Sequence, residues 1–121
     1  MTEKLKLSIQ GMDYEIDFPN VGQELDIQLL RHQLTDGKYG VMSVSPDTMD
    51  QYQVLIVDMI STFSTLIPQL KETLTAKSYL KLSQKQAHEL LSVYTDTYVP
   101  WHTGWMRIIT APKTADAEET K

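Results

Sequence analysis

Between Met49 and Leu74 the chain is too apolar around its circumference to lie on a surface, and this restricts the fold more than any other feature. Met49, Tyr52, Ile56, Met59, Ile60, Phe63, Ile67, Leu70 and Leu74 recur close to the helical period. Val54, Leu55, Val57 and Leu66 widen that stripe until the middle must be covered on several sides. The spacing predicts a central helix over about 46–75, around which the rest of the chain packs. Its start is written in "SPDTMDQ": Ser45 as cap, Pro46 in the first turn, Asp47 at the positive end of the helix. Pro68 should kink or interrupt it, because proline removes a backbone donor and clashes with the preceding turn.

The amino-terminal residues alternate instead. Leu5, Leu7 and Ile9 are interleaved with Lys4, Lys6, Ser8 and Gln10; Tyr14, Ile16 and Phe18 are interleaved with Asp13, Glu15 and Asp17. This predicts a β-hairpin over 4–18. Gly11-Met12 fits a type II′ turn, which takes glycine first. That turn would pair Ile9 with Tyr14, Leu7 with Ile16 and Leu5 with Phe18, and set Lys6 against Asp17.

Three further helices follow from the pattern. One covers about 24–34, with Asp26 as a cap, apolar positions at Leu25, Leu29, Leu30 and Leu34, and Ile27 at the margin. Another covers 83–98, opened by a capping box of Ser83 and Gln86 with a staple between Leu82 and Ala87. After a break at Val99-Pro100, the last runs over 100–110. Residues 37–45 read either as a third strand or as an irregular connection. Residues 112–121 contain no large apolar residue and read as a polar tail beyond a single domain of 1–111. The fold class expected is α+β: an N-terminal β-hairpin packed on a mostly helical body with a long central helix.

Composition narrows the function. The 121 residues carry a net charge of −5, which disfavours general nucleic-acid binding because phosphate contacts need a positive surface. The absence of cysteine removes disulfides, thiolate ligands and a thiol nucleophile. The most apolar run, "VLIVDMI", is too short to span a bilayer and carries Asp58, and no leader pattern is visible in "MTEKLKLSIQ". His32, His88 and His102 stand in no metal-ligand spacing, and no nucleophile elbow or phosphate-cradling glycine loop occurs. The expectation is a non-enzymatic protein with no catalytic residue, no metal and no cofactor, binding neither nucleic acid nor membrane.

Two features suggest contacts with other proteins. In "VPWHTGWMRII", Trp101, Trp105, Ile108 and Ile109 share one helical face. Each tryptophan can bury roughly 150–250 Å², so the stripe is core, a partner-facing patch or part of a small-molecule site. Lys77, Lys81 and Lys85, with Lys71, punctuate a stretch opposed only by Glu72. They form a solubilising face or a match for an acidic partner surface, such as Asp13, Glu15, Asp17, Glu24 and Asp26 of another copy. The candidate partner-binding residues are therefore Trp101, Trp105, Ile108, Lys77, Lys81 and Lys85.

The succession "YEIDFPNVGQELDIQLLRHQLTDGKYGVM", "VLIVDMISTFSTLIPQL", "ELLSVYTDTYVPWHTGWMRII" resembles small structural or assembly proteins of tailed bacteriophages, over roughly residues 5 to 110. The nearest likeness is to tail-assembly chaperones, in which an amino-terminal hairpin is also followed by helices. The resemblance implies other phage structural or tail proteins as partners, a homo-oligomer, and a location in the host cytoplasm or the virion. The alternative is a small regulatory or peptide-binding module that targets a host or cellular protein.

Overall fold

The computed structural model describes residues 4–111, so the proposed tail at 112–121 lies outside the described residues. Strands β1 (Lys4–Ile9) and β2 (Met12–Asp17) form an antiparallel hairpin. Helices α1 (Val21–Leu34), α2 (Tyr39–Ser43), α3 (Thr48–Leu66), α4 (Ala76–Leu80), α5 (Gln84–Ser92) and α6 (Val99–Ile109) follow. The architecture is α+β, a hairpin on a mostly helical body.

The hairpin turns one residue earlier than glycine-first reasoning predicts. Gln10 (φ 52°) and Gly11 (φ 82°) occupy the two central positions, the arrangement of a type I′ turn, which takes positive φ at both. The observed pairs are Ile9 with Met12, Leu7 with Tyr14, Leu5 with Ile16, Lys6 with Glu15 and Lys4 with Asp17. Moving the turn by one residue moves the register by two, so no side chain changes face. Leu7, Ile9 and Ile16 are buried. On the outer face Lys4 lies 3.4 Å from Asp17 and 3.8 Å from Glu15, exposed pairs that add little stability.

Helix α1 begins earlier than Asp26. Asn20 Oδ1 accepts from the Gln23 amide at 2.8 Å and Gln23 Oε1 accepts from the Asn20 amide at 3.0 Å, a capping box. Of the expected inner positions Leu34 packs against the core, but Leu25 and Leu29 point outward, and Ile27, expected only at the margin, is the buried residue. Ile27, Arg31 and Leu34 fall within about 60° of helical arc. That arc is turned toward α3 because Arg31 pairs there with Asp58. Residues 37–45 are neither strand nor irregular loop over their whole length, for α2 occupies their centre.

Helix α3 is capped by Asp47, whose Oδ1 accepts from Met49 N at 2.7 Å, and not by Ser45, which holds the preceding turn. It ends at Leu66 rather than near 75. Ile67 is extended and Pro68 opens a short 3₁₀ turn, Pro68–Leu70, as the missing donor requires. Its buried middle is Met59, Ile60, Ser61, Thr62, Phe63 and Ser64. The Ser61 hydroxyl is buried and, among the described residues, has no hydrogen-bond partner. Ser61→Ala is therefore expected to raise the unfolding free energy by about 1 kcal/mol, read by urea denaturation, because it deletes an unpaired polar group.

No break occurs at Val99-Pro100. Helix α5, a π-helical stretch (Val93–Tyr98) and α6 run on as one rod. In a regular helix the Pro100 ring would collide with the carbonyl four residues back, at Asp96. Widening the turn relieves this, and the Val99 amide bonds to the Tyr94 carbonyl five residues back. The wider turn also places Tyr94, Tyr98 and Trp101 together in the core. Tyr94 and Tyr98 stack at 5.6 Å, and Phe63 of α3 meets both edge-on at 5.7 and 6.1 Å. Phe18, just past β2, joins this cluster 5.4 Å from Trp101.

Candidate interaction surfaces

Asp58 explains how the three inner helices are fastened together. A carboxylate in an apolar run must be paired where it is buried. Arg31 Nε of α1 lies 2.9 Å from Asp58 Oδ1, off the line of its N–H, so the contact is chiefly one of charge. Tyr39 of α2 donates its hydroxyl to the same oxygen at 2.6 Å, and the Arg31 guanidinium sits 5.5 Å over the Tyr39 ring. Burial, with Asp58 beside it, pushes the Tyr39 hydroxyl up to about 12, so it stays a donor.

Burial also raises the Asp58 carboxyl above its ordinary range; Tyr39 and Arg31 pull the other way and only partly offset it. In the window just above 3.8 the folded chain then holds more protons at this site than the unfolded chain. Stability contributed here therefore falls as pH rises through that window. Asp58→Asn is expected to remove this slope, measured as the difference in unfolding free energy between acid and neutral pH for the two proteins.

A second polar contact lies on the same side of α1. His102 Nε2 is 3.3 Å from Glu24 Oε1, an ion pair when the imidazole is protonated. The His102 ring stacks on Phe18 at 5.1 Å and on Tyr98 at 5.5 Å. The pair edges a half-polar groove of about 400 Å³ that also takes in Arg31, Thr62, Tyr94 and Tyr98. This is the arrangement of imidazole and carboxylate on which a catalytic reading would rest. Arg31 and Tyr94 in that groove are already engaged: the first with Asp58, the second with Thr62 and Arg31. The ring contacts and the Glu24 contact tie the hairpin's end, α1 and α6 together.

The apolar surface is more extensive. Val21, Leu25 and Leu29 are 76%, 65% and 57% exposed, one per turn along α1. They form a ridge about 12 Å long. Elsewhere α2, α3 and α4 enclose an apolar groove of about 460 Å³, lined by Leu34, Met42, Ile56, Ile60, Tyr79 and Leu80, with Lys38 and Asp36 at its polar margin. Val41, Val44, Met49 and Leu80 are exposed large apolar residues on the same three helices or beside them.

The candidates drawn from the sequence divide among these settings. Trp101 is 8% exposed and belongs to the core, so it is not available to a partner. Trp105 is half-buried against the core, 6.5 Å from Phe18. Ile108 is exposed, as are Lys77 on α4, Lys81 at its end and Lys85 in the first turn of α5. The ridge on α1 was missed because Leu25 and Leu29 were assigned inward. Its sequence signal is a second, narrower apolar face, Ile27 with Leu34, that carries Arg31 beside it.

Among the described residues no three His, Asp or Glu side chains gather as a metal-binding group, and no helix is long and apolar enough to cross a membrane. Comparison with known proteins finds no matching family, no matching curated protein and no matching solved structure.

Proposed function

We propose that this chain is a non-enzymatic structural or assembly protein of a tailed bacteriophage, of the tail-assembly-chaperone kind, which acts by holding other proteins. The observation that carries the contact-based part of this reading is the ridge of Val21, Leu25 and Leu29, left in water along a helix whose other face is packed. Apolar side chains aligned on one exposed face gain free energy only when something covers them. The phage assignment is supported by the resemblance of "YEIDFPNVGQELDIQLL" and the segments that follow it.

The test is capture of the tagged full chain from its native lysate, followed by mass spectrometry. Recovery of tail or other particle proteins is the expected result; recovery of a small metabolite with no protein would overturn the reading. A second reading, a peptide-binding regulatory module, is favoured by the 460 Å³ apolar groove, which suits one amphipathic segment. It predicts a monomer that captures a single cellular protein through that groove.

A further inference from the structure

We propose that the free edge of β2 takes a third strand from another protein, an extended segment with lysine or arginine at alternate positions and apolar residues between them. The sheet has two strands, so one side of β2 is paired with β1 and the other is not. In the observed register Met12, Tyr14 and Ile16 exchange backbone hydrogen bonds with β1. The N–H and C=O groups of Asp13, Glu15 and Asp17 point the other way, and among the described residues no backbone group takes them up. Beside this edge runs a cleft of about 330 Å³ whose far wall is residues 66–69. Asp13 and Glu15 from the outer face of the hairpin, and Tyr14 and Ile16 from the inner face, all line it. Side chains of both faces border one space only along the edge of a strand. The outer side of β1 is not equivalent, because that strand packs against the π-helical stretch.

Backbone groups that recur at every second residue, about 7 Å apart, match an extended chain. A helix has already used its own. Charge then selects the kind of extended chain. The cleft is lined by two carboxylates and by no lysine or arginine. Among the described residues Asp13 makes no ion pair, while Glu15 and Asp17 share Lys4 across exposed side chains. The outer face as a whole sets three carboxylates against Lys4 and Lys6, so negative charge is left beside the open edge.

Antiparallel pairing, which the hairpin already uses, puts each incoming residue opposite Asp13, Glu15 or Asp17 with its side chain on the outer face. A cation there meets a carboxylate. The residues between turn to the inner side, where Leu66 and Ile67 line the cleft. Strand addition draws affinity from the main chain and specificity from these alternate side chains. A second copy does not supply the segment. Its own basic and apolar strand, Lys4–Ile9, is already held between β2 and the rod. This surface is separate from the α1 ridge, so failure here leaves the contact-based reading standing.

The probe is a blocked, fluorescently labelled peptide of alternating lysine and valine, six residues long like β2. Titration with the full chain at low ionic strength is expected to give saturable binding below about 1 mM. Methylating the lysine backbone nitrogens, which face β2, is expected to weaken binding about tenfold or more. Methylating the valine nitrogens, which face away, is expected to change it by less than about twofold. Asp13→Asn with Glu15→Gln, both at exposed positions, is expected to bind the peptide roughly fivefold more weakly with an unchanged thermal melt. In the complex the amides of Asp13, Glu15 and Asp17 are expected to gain protection from hydrogen exchange, while those of Met12, Tyr14 and Ile16 stay as they were. Absence of binding by the unmodified peptide would overturn the proposal. So would equal binding by the lysine-methylated peptide, which would reduce the contact to charge alone, or protection that arises elsewhere and not at the three edge amides.

Discussion

Trp101→Ala is expected to lower the unfolding free energy by about 3–5 kcal/mol, the range for truncating a large buried aromatic side chain. Trp101 is held from two directions, by Phe18 at 5.4 Å and by Tyr98 at 5.8 Å. Its removal opens a cavity where the hairpin's end meets the rod of α5 and α6. Neighbouring rings cannot close that space readily, because Tyr98 is already stacked on Tyr94 and edged against Phe63. Trp105→Ala, at a half-buried position with Phe18 6.5 Å away, is expected to cost roughly half as much. Urea denaturation of both variants reads the difference. Equal losses would mean that α6 unfolds as a unit whichever tryptophan is cut, and would remove the distinction between core and margin on which the surface assignment depends.

The two tryptophans also show how far sequence reading reaches. Their spacing of four residues identified a shared helical face. Which end of that face is covered depends on the hairpin, and Phe18 covers the Trp101 end while Ile108 and Ile109 stay in water. The hairpin itself was legible because alternation fixes faces, and faces survive a register shift of two. Its turn was not, because glutamine at positive φ is outside the usual preferences for that position.

The larger misreadings concern forces that act between distant residues. Pro100 reads locally as a break, but the rod continues because a wider π-helical turn accommodates the ring and brings three aromatic side chains into one core. For α1, counting leucines selects Leu25, Leu29, Leu30 and Leu34 as the inner face. The helix instead follows Arg31, which must reach a carboxylate on α3. Asp58 within "VLIVDMI" was the available clue. A charge there demands a cationic partner, and Arg31 as that partner turns Leu25 and Leu29 outward while Leu34 stays on the inner face with Ile27.

Asp58→Ala tests that ordering of forces and carries the other large effect. Arg31 and Asp58 side chains are 21% and 18% exposed, so the pair is mostly but not wholly withdrawn from water. Removing one partner of a buried ion pair costs about 3–5 kcal/mol, and residual solvent reduces this to roughly 2–3 kcal/mol here. The loss has two parts: the guanidinium is left without a counter-charge, and the Tyr39 hydroxyl is left without its acceptor. Asp58→Asn keeps an acceptor for Tyr39 and is expected to cost roughly 1 kcal/mol less than the alanine variant. Replacing the network outright, as Arg31→Met with Asp58→Leu and Tyr39→Phe, is expected to restore stability to within about 1 kcal/mol of wild type, because no polar group is then left unpaired. If the triple variant is instead as unstable as Asp58→Ala, the network contributes beyond mutual satisfaction. If Asp58→Ala is neutral, Arg31 does not orient α1, and the outward facing of Leu25 and Leu29 needs another cause.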